Sequence, residues 1–245
     1  MNRLPSLLRQ HIAALRMLLV FTVLCGIVYP VLMWGVAQAA FKNQANGSLV
    51  TSNGKVVGSS LLCQEFVDSH GNPLPRYFQP RPSNASSSSV KNDYGCDPGY
   101  SGASNLGPNN SALLTTVKQR EQQIAAFDHV PVSAIPPDAV TSSGSGLDPD
   151  ISPQYADIQV KRVAAARHLP VSEVQALVSK YTQGRSLGFL GEPRVDVLTL
   201  NIALDALPLS PGGRPPVPLS PGGRTPRTLR VGSDERQGYR TRERP

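Results

Sequence analysis

The longest apolar run lies near the start of the chain. Residues 17–40, MLLVFTVLCGIVYPVLMWGVAQAA, carry no charge over 24 positions. A helix rises about 1.5 Å per residue, so this run crosses a hydrocarbon core of about 30 Å with some tilt. Pro30 deletes one backbone donor from it and predicts a kink. Beyond residue 40 the apolar stretches shorten and turn periodic. Leu49-Val-Thr-Ser, Asn53-Gly54 and Lys55-Val-Val predict a β-hairpin, because Asn-Gly supplies the two positive φ angles of a type I′ turn. Residues 68–110 are rich in Ser, Asn, Gly and Pro and predict a long loop region, ordered by a partner or by packing on the core. Asn110 or Ser111 caps a helix to about Phe127, with Leu113, Leu114, Val117, Ile124 and Phe127 largely on one face. Pro131, Pro136 and Pro137 then mark a connection.

Ser152 as N-cap and Pro153 at the first helical position open the next helix, which ends at Leu169-Pro170. Ile158, Val160, Val163, Ala164 and Ala166 give it apolar surface. Ser172 with Gln175 reads as a capping box for a helix to about Tyr181, closed by Gly184. Val195, Val197 and residues 198–200 predict a strand, and residues 201–207 a final helical turn or two. Strands at both ends with helices between them predict one α/β (α+β) domain over residues 41–207, carried on a transmembrane helix over residues 17–40.

Charge sharpens this division. The formal balance of +7 raises the prospect of an anionic partner. Yet residues 1–16 contribute +3, residues 208–245 contribute +5, and residues 41–207 hold 13 Lys and Arg against 14 Asp and Glu, or −1. The central domain has no steering field for nucleic acid. Arg3, Arg9 and Arg16 precede the apolar run and only Lys42 follows it closely. The positive-inside bias therefore places residues 1–16 in the cytoplasm and the domain outside it. Ala37-Gln38-Ala39 fits a signal cleavage site, but the run exceeds the ~7–15 apolar residues of a signal core, which favours a retained anchor. Either way the domain is exported. After residue 207, PLSPGGR recurs with a period of ten. Two such copies are too short for a solenoid, and their Pro, Gly and Arg content predicts a disordered, solvated tail.

Of three cysteines, Cys25 lies in the span. Cys63 and Cys96 lie in the domain, either as one disulfide closing a loop of about 33 residues or as two unrelated thiols. The four His (His11, His70, His129, His168) show no metal-ligand spacing, and Cys63, His70 and Cys96 make no zinc pattern, so no metal is expected. His168 reads as the end of a helix. Residues 99–103, GYSGA, miss the G-x-S-x-G elbow, and no phosphate-cradling P-loop pattern occurs. Asp148 and Asp150 precede the positive end of a helix, which explains the pair without catalysis. The loop through Ser143, Gly144, Gly146, Asp148, Ser152 and Pro153 reads as a capped, rigid presentation loop. These features suggest an accessory protein rather than an enzyme acting alone. The alternatives are an anchored envelope binding module that acts independently, and an envelope hydrolase, which needs a catalytic set not found here.

Several blocks then fall into a known order: Tyr29-Pro30 in the span; Tyr77-Phe-Gln-Pro-Arg-Pro-Ser83; Ser101-Gly-Ala-Ser-Asn-Leu-Gly-Pro108, with Ser101, Gly102, Asn105 and Gly107; Pro136-Pro-Asp-Ala-Val140 through Ser143-Gly-Ser-Gly-Leu-Asp-Pro149; residues 159–167; and Gly191-Glu-Pro-Arg-Val195 through Asp205. Over about residues 10–207 the chain resembles the C subunit of the bacterial Kdp high-affinity potassium-transporting ATPase. Ala103 stands where that family usually has a second glycine. Asp150 replaces a common His or Asn, Asp196 replaces a common Asn, and residues 67–75 look longer than usual. The resemblance implies a complex in the bacterial inner membrane with a channel-like subunit, a P-type ATPase subunit and a very small fourth peptide. ATP and potassium would belong to that complex, not to a cofactor site here. It also implies a role in assembly and in raising ATP affinity as a catalytic chaperone. A family glutamine proposed to contact the nucleotide maps onto Gln159. The helix pattern alone reads Gln159 as a surface hydrogen-bonder. An exported domain is separated from cytosolic ATP, so the topology favours an effect coupled across the membrane and a domain braced over the potassium entrance.

Overall fold

A computed structural model describes residues 5–86 and 95–207. Part of the serine run after residue 86 and the whole tail from residue 208 lie outside the described residues.

The N-terminal helix starts earlier than the apolar run. It comprises α1 (Ser6–Val23), a π-helical turn (Leu24–Val28) and α2 (Tyr29–Ala40). None of these 35 residues is buried, and near the end of α2 Gln38 Oε1 accepts from Asn46 Nδ2 at 3.1 Å. The π turn explains the proline. Pro30 has no N–H, and its ring crowds the carbonyl four residues back, at Gly26. The widened turn falls where that crowding occurs. A short helix, α3 (Lys42–Ala45), leads to the hairpin β1 (Leu49–Ser52) and β2 (Lys55–Ser59), paired antiparallel. Asn53 and Gly54 take φ of 51° and 74°, as the expected turn requires.

The remaining elements are α4 (Ser111–Asp128), a 3-10 turn (Val132–Ala134), α5 (Pro137–Val140), β3 (Asp150–Ile151), α6 (Pro153–Arg167), α7 (Val171–Tyr181), β4 (Thr182–Gln183), β5 (Arg194–Asp196) and α8 (Val197–Asp205). The second sheet is antiparallel in the order β3-β5-β4. The domain therefore mixes helices with two small antiparallel sheets, an α+β arrangement. Its core gathers Phe66, Phe78, Ile151, Val160, Val163, Val174, Val178, Val195, Leu198, Leu200 and Leu204.

Asn110 caps α4, accepting from Ala112 N at 2.8 Å, and Ser152 caps α6, accepting from Tyr155 N at 3.0 Å. His168 ends α6 in a left-handed turn at φ 56°. Leu114 and Ala166, expected on apolar faces, are exposed. Three boundaries differ from the sequence pattern. The Ser172/Gln175 capping box does not form: α7 begins after Pro170, and Gln175 Nε2 donates instead to Asp157 on α6 at 2.7 Å. Gly184 does not close α7, because the chain passes straight from Tyr181 into β4. The strand expected over residues 195–200 stops at Asp196, whose carboxylate accepts from Thr199 N at 2.7 Å and starts α8. A helix buried on most sides carries no amphipathic period, so residues 197–200 read equally as a buried strand.

Candidate functional site

Residues 75–83, inside the expected loop region, form no strand yet run through the core. Tyr77 is 2% exposed and Phe78 fully buried. A buried strap outside any sheet must find partners for its backbone polar groups. Two side-chain amides supply them on consecutive residues. Asn201 on α8 accepts from Phe78 N at 2.9 Å and donates to Phe78 O at 2.9 Å. Gln159 on α6 accepts from Gln79 N at 2.7 Å and donates to Gln79 O at 3.2 Å. Each amide imitates the neighbouring strand that the strap lacks. Gln79 in turn donates from its own side chain to Phe66 O and Leu74 O.

Two arginines on α6 complete the grip. Arg162 donates to Pro75 O at 2.6 Å, Tyr77 O at 2.9 Å and Gln159 Oε1 at 2.7 Å, and its Nε reaches Asp128 at 2.6 Å. The guanidinium sits 4.3 Å from the Phe127 ring centre. Arg167 donates to Arg76 O, Leu204 O and Asp205. Asp205 also accepts from the Tyr77 hydroxyl at 3.1 Å. Burial pushes the Asp128 carboxyl up, against the pull of Arg162, and burial with the nearby Asp205 carboxylate pushes the Tyr77 hydroxyl up. The expectation of a surface Gln159 is thus overturned. The residue is fully buried and both ends of its amide are engaged.

The strap ends where the two motif loops meet. Ser83 Oγ donates to Gly146 O at 2.6 Å and accepts from Ala85 N and Cys96 N. Ser101 Oγ and Gly102 N both donate to Ser145 O, at 3.0 and 2.9 Å. Gly146 lies at φ +72°, where a Cβ would come within 2.4 Å of Gly102 O. Glycine is needed there for the conformation and for the close backbone approach. Ser143 Oγ accepts from Gly146 N at 2.9 Å. Cys63 and Cys96 are joined in a disulfide with Cα atoms 5.4 Å apart, which settles that open pairing.

The expected acids do not act on the helix start as the sequence implied. Asp148 pairs with Arg81 at 2.8 Å and Asp150 with Arg194 at 3.1 Å. The carboxylate at the start of α6 is Asp138, which accepts from Ser152 N at 2.8 Å and Ser152 Oγ at 2.9 Å. Pro153 occupies the first turn of α6 as expected. Burial pushes the Asp150 carboxyl up to about 6, with Arg194 opposing and Asp196 and Asp148 adding to the rise. Gly144 and Gly107 face open space, and Asn105 bonds within its own loop, to Ala103 O.

The strap and the knotted loops are therefore brought together, while Asn105 and Gly107 lie on an exposed arm. Sequence reasoning missed Asp128, Asp138, Arg162, Arg167 and Asn201. A signal existed for three of them. Gln159 and Arg162 stand three apart on a helix among core valines, Arg167 belongs to the same matching block, and Asn201 interrupts Val197-Leu-Thr-Leu. Polar groups on an apolar face require buried partners.

Residues 11–206 match the family described as KdpC, K+-transporting ATPase, c chain. Among curated relatives, the potassium-transporting ATPase KdpC subunit of Streptomyces avermitilis is 48% identical over 218 residues, covering 84% of this chain and 97% of that protein. The KdpC subunit of Methylococcus capsulatus is 49% identical, covering 79% and 96%. That of Sorangium cellulosum is 50% identical, covering 78% and 95%.

Proposed function

The chain belongs to the KdpC family of potassium-transporting ATPase subunits, and from that premise we propose that it is a non-catalytic accessory subunit which assists assembly and raises the ATP affinity of the P-type subunit. It is a membrane-associated part of the Kdp ATPase complex with one N-terminal apolar helix long enough to span a bilayer. Its other partners in this reading are the channel-like potassium-translocating subunit, the small fourth peptide and the surrounding lipid.

Arg9 and Arg16 precede the apolar run, so residues 41–207 lie outside the cytoplasm. ATP is cytosolic, and the effect on its affinity then passes through the conformational equilibrium of the complex. The observation that carries this reading is the enclosure of Gln159. Its oxygen already accepts from Gln79 N and Arg162, and its nitrogen already donates to Gln79 O. Offering that amide to a nucleotide would strand three buried groups. Gln159 instead fixes the strap, and a fixed strap makes the domain a stiff brace over the potassium entrance. The near-neutral balance of residues 41–207 does not repel the cation.

Two measurements test the proposal. Protease added to intact spheroplasts should digest residues 41–207; protection of the domain puts it beside ATP and ends the reading. A mild-detergent pull-down followed by a potassium-stimulated ATPase assay, with and without this chain, should show co-purification of a channel-like protein and a P-type ATPase. It should also show a higher ATP requirement when the chain is absent.

A further inference from the structure

A cleft of about 730 Å³ lies between α4 and the strap, walled by Pro73, Pro80, Ile124, Phe127 and Tyr155. Two arginines from different elements meet in its lining. Arg120 on α4 donates to Val140 O at 2.9 Å, and Arg81 on the strap donates to Thr141 O at 3.3 Å. These carbonyls are consecutive at the C-terminal end of α5, so both arginines are anchored to adjacent residues while lining the same cleft. Arg81 is neutralised by Asp148, and its buried Nε has no hydrogen-bond partner. Arg120 forms no ion pair among the described residues.

The acids in the same walls are engaged elsewhere. Asp128 is held by Arg162, and the Glu65 carboxylate sits against Gly95, 2.6 Å from where a Cβ would stand. Burial pushes the Arg120 guanidinium below its usual range, and no acid among the described residues offsets that. A cation withdrawn from water without a counter-charge gains when an anion arrives. The planar guanidinium fork matches a carboxylate. One uncompensated cation suits a monoanion, because Glu65 in the lining opposes a second negative charge. The apolar walls favour an apolar body on that anion.

We propose that this cleft is a binding site for a carboxylate carried on an apolar body, held by Arg120 with Arg81 beside it. Two sources share that chemistry: a free organic acid, and an acidic side chain flanked by apolar residues on a partner polypeptide. The accessory role does not depend on the site, so its failure leaves that role standing.

The test uses the full chain in mild detergent, with its thermal unfolding midpoint followed against sodium phenylacetate. The neutral isostere phenylacetamide and sodium chloride at matched ionic strength serve as controls. Phenylacetate alone should raise the midpoint, by about 3 °C at tenfold over its dissociation constant. Arg120→Gln should lose the rise and Arg120→Lys should keep part of it. Ala126→Trp, which adds bulk to the exposed lining and leaves both arginines in the sequence, should also lose it and serves if Arg120→Gln does not fold. Given the rise, co-purification of the complex with Arg120→Gln distinguishes the sources: an intact complex assigns a free acid, a lost one a partner side chain. No rise specific to the carboxylate, or a rise surviving both Arg120→Gln and Ala126→Trp, overturns the proposal.

Discussion

Gln159 and Gln79 are joined through both backbone polar groups of Gln79: the Gln159 amide oxygen accepts its N–H at 2.7 Å and the amide nitrogen donates to its carbonyl at 3.2 Å. The same oxygen takes a third bond from Arg162. Gln159→Ala leaves these buried groups without partners, and leaving buried polar groups unsatisfied costs about 2–4 kcal/mol here. Urea unfolding of the full chain in detergent should show that loss. In the complex, reduced ATP affinity should follow loss of the folded subunit. A Gln159→Ala chain of undiminished stability that weakened ATP affinity would return the residue to the nucleotide.

Arg162 and Asp128 form the most enclosed ion pair among the described residues, with side chains 4% and 2% exposed. Removing one member strands the other charge in the core, at a cost of about 3–5 kcal/mol. Asp128→Asn and Arg162→Met should each approach that cost. The double variant should fall well short of their sum, because it no longer holds an unpaired ion. Additive losses in denaturant titrations would show that the two residues act independently.

Much of the domain was legible because its signals were local. Asn53-Gly54, the Asn110 and Ser152 caps and the left-handed end at His168 each depend on neighbours within a few positions. The strap was not legible. Its backbone is satisfied by side chains 80 and 123 residues away, so residues 75–83 have the composition of a loop and the burial of a strand. Asp148 and Asp150 misled for the same reason: a helix start nearby was visible in the sequence, whereas Arg81, 67 residues distant, was not. The motif loops were visible as blocks rich in glycine and serine, but their interlocking at Ser83, Ser145 and Gly146 depends on the fold.

The disulfide ties the segment after β2, at Cys63, to Cys96, whose N–H donates to Ser83 at the end of the strap. Cys63 and Cys96 lie 33 residues apart, and closing such a loop in the unfolded chain accounts for about 3–4 kcal/mol in the chain-entropy view. Cys63→Ser/Cys96→Ser, or reduction with dithiothreitol, should lower the unfolding free energy by that order. The exposed Cys25 in the span leaves the comparison unaffected, since it has no part in the bridge. An unchanged midpoint on reduction would mean the core alone fixes the strap.

Asp150 makes stability fall as pH rises. In the fold its carboxyl holds a proton up to about pH 6, against 3.8 for the free group, mainly because it is buried. Arg194 at 3.1 Å opposes the rise, while Asp196, its cross-strand partner on β5, and Asp148 two residues earlier add to it. A carboxyl that is easier to protonate when folded stabilises most below its unfolded value, and that contribution disappears as pH climbs through about 6. Its side chain is 26% exposed, so solvent screening reduces the effect to about 1–2 kcal/mol. Asp150→Asn keeps the shape, removes the buried charge and retains an acceptor for Arg194. The variant should therefore be the more stable protein at pH 7 by about 1 kcal/mol, with the advantage shrinking toward pH 4. Burial raises Asp196 in the same direction, so Asp196→Asn, which preserves a capping acceptor for Thr199 N, should shift the profile the same way. Unfolding curves of wild type and both variants across pH 4–7.5 decide it: an Asp150→Asn chain that is weaker at pH 7 would show that the Arg194 pair outweighs the cost of burying the charge.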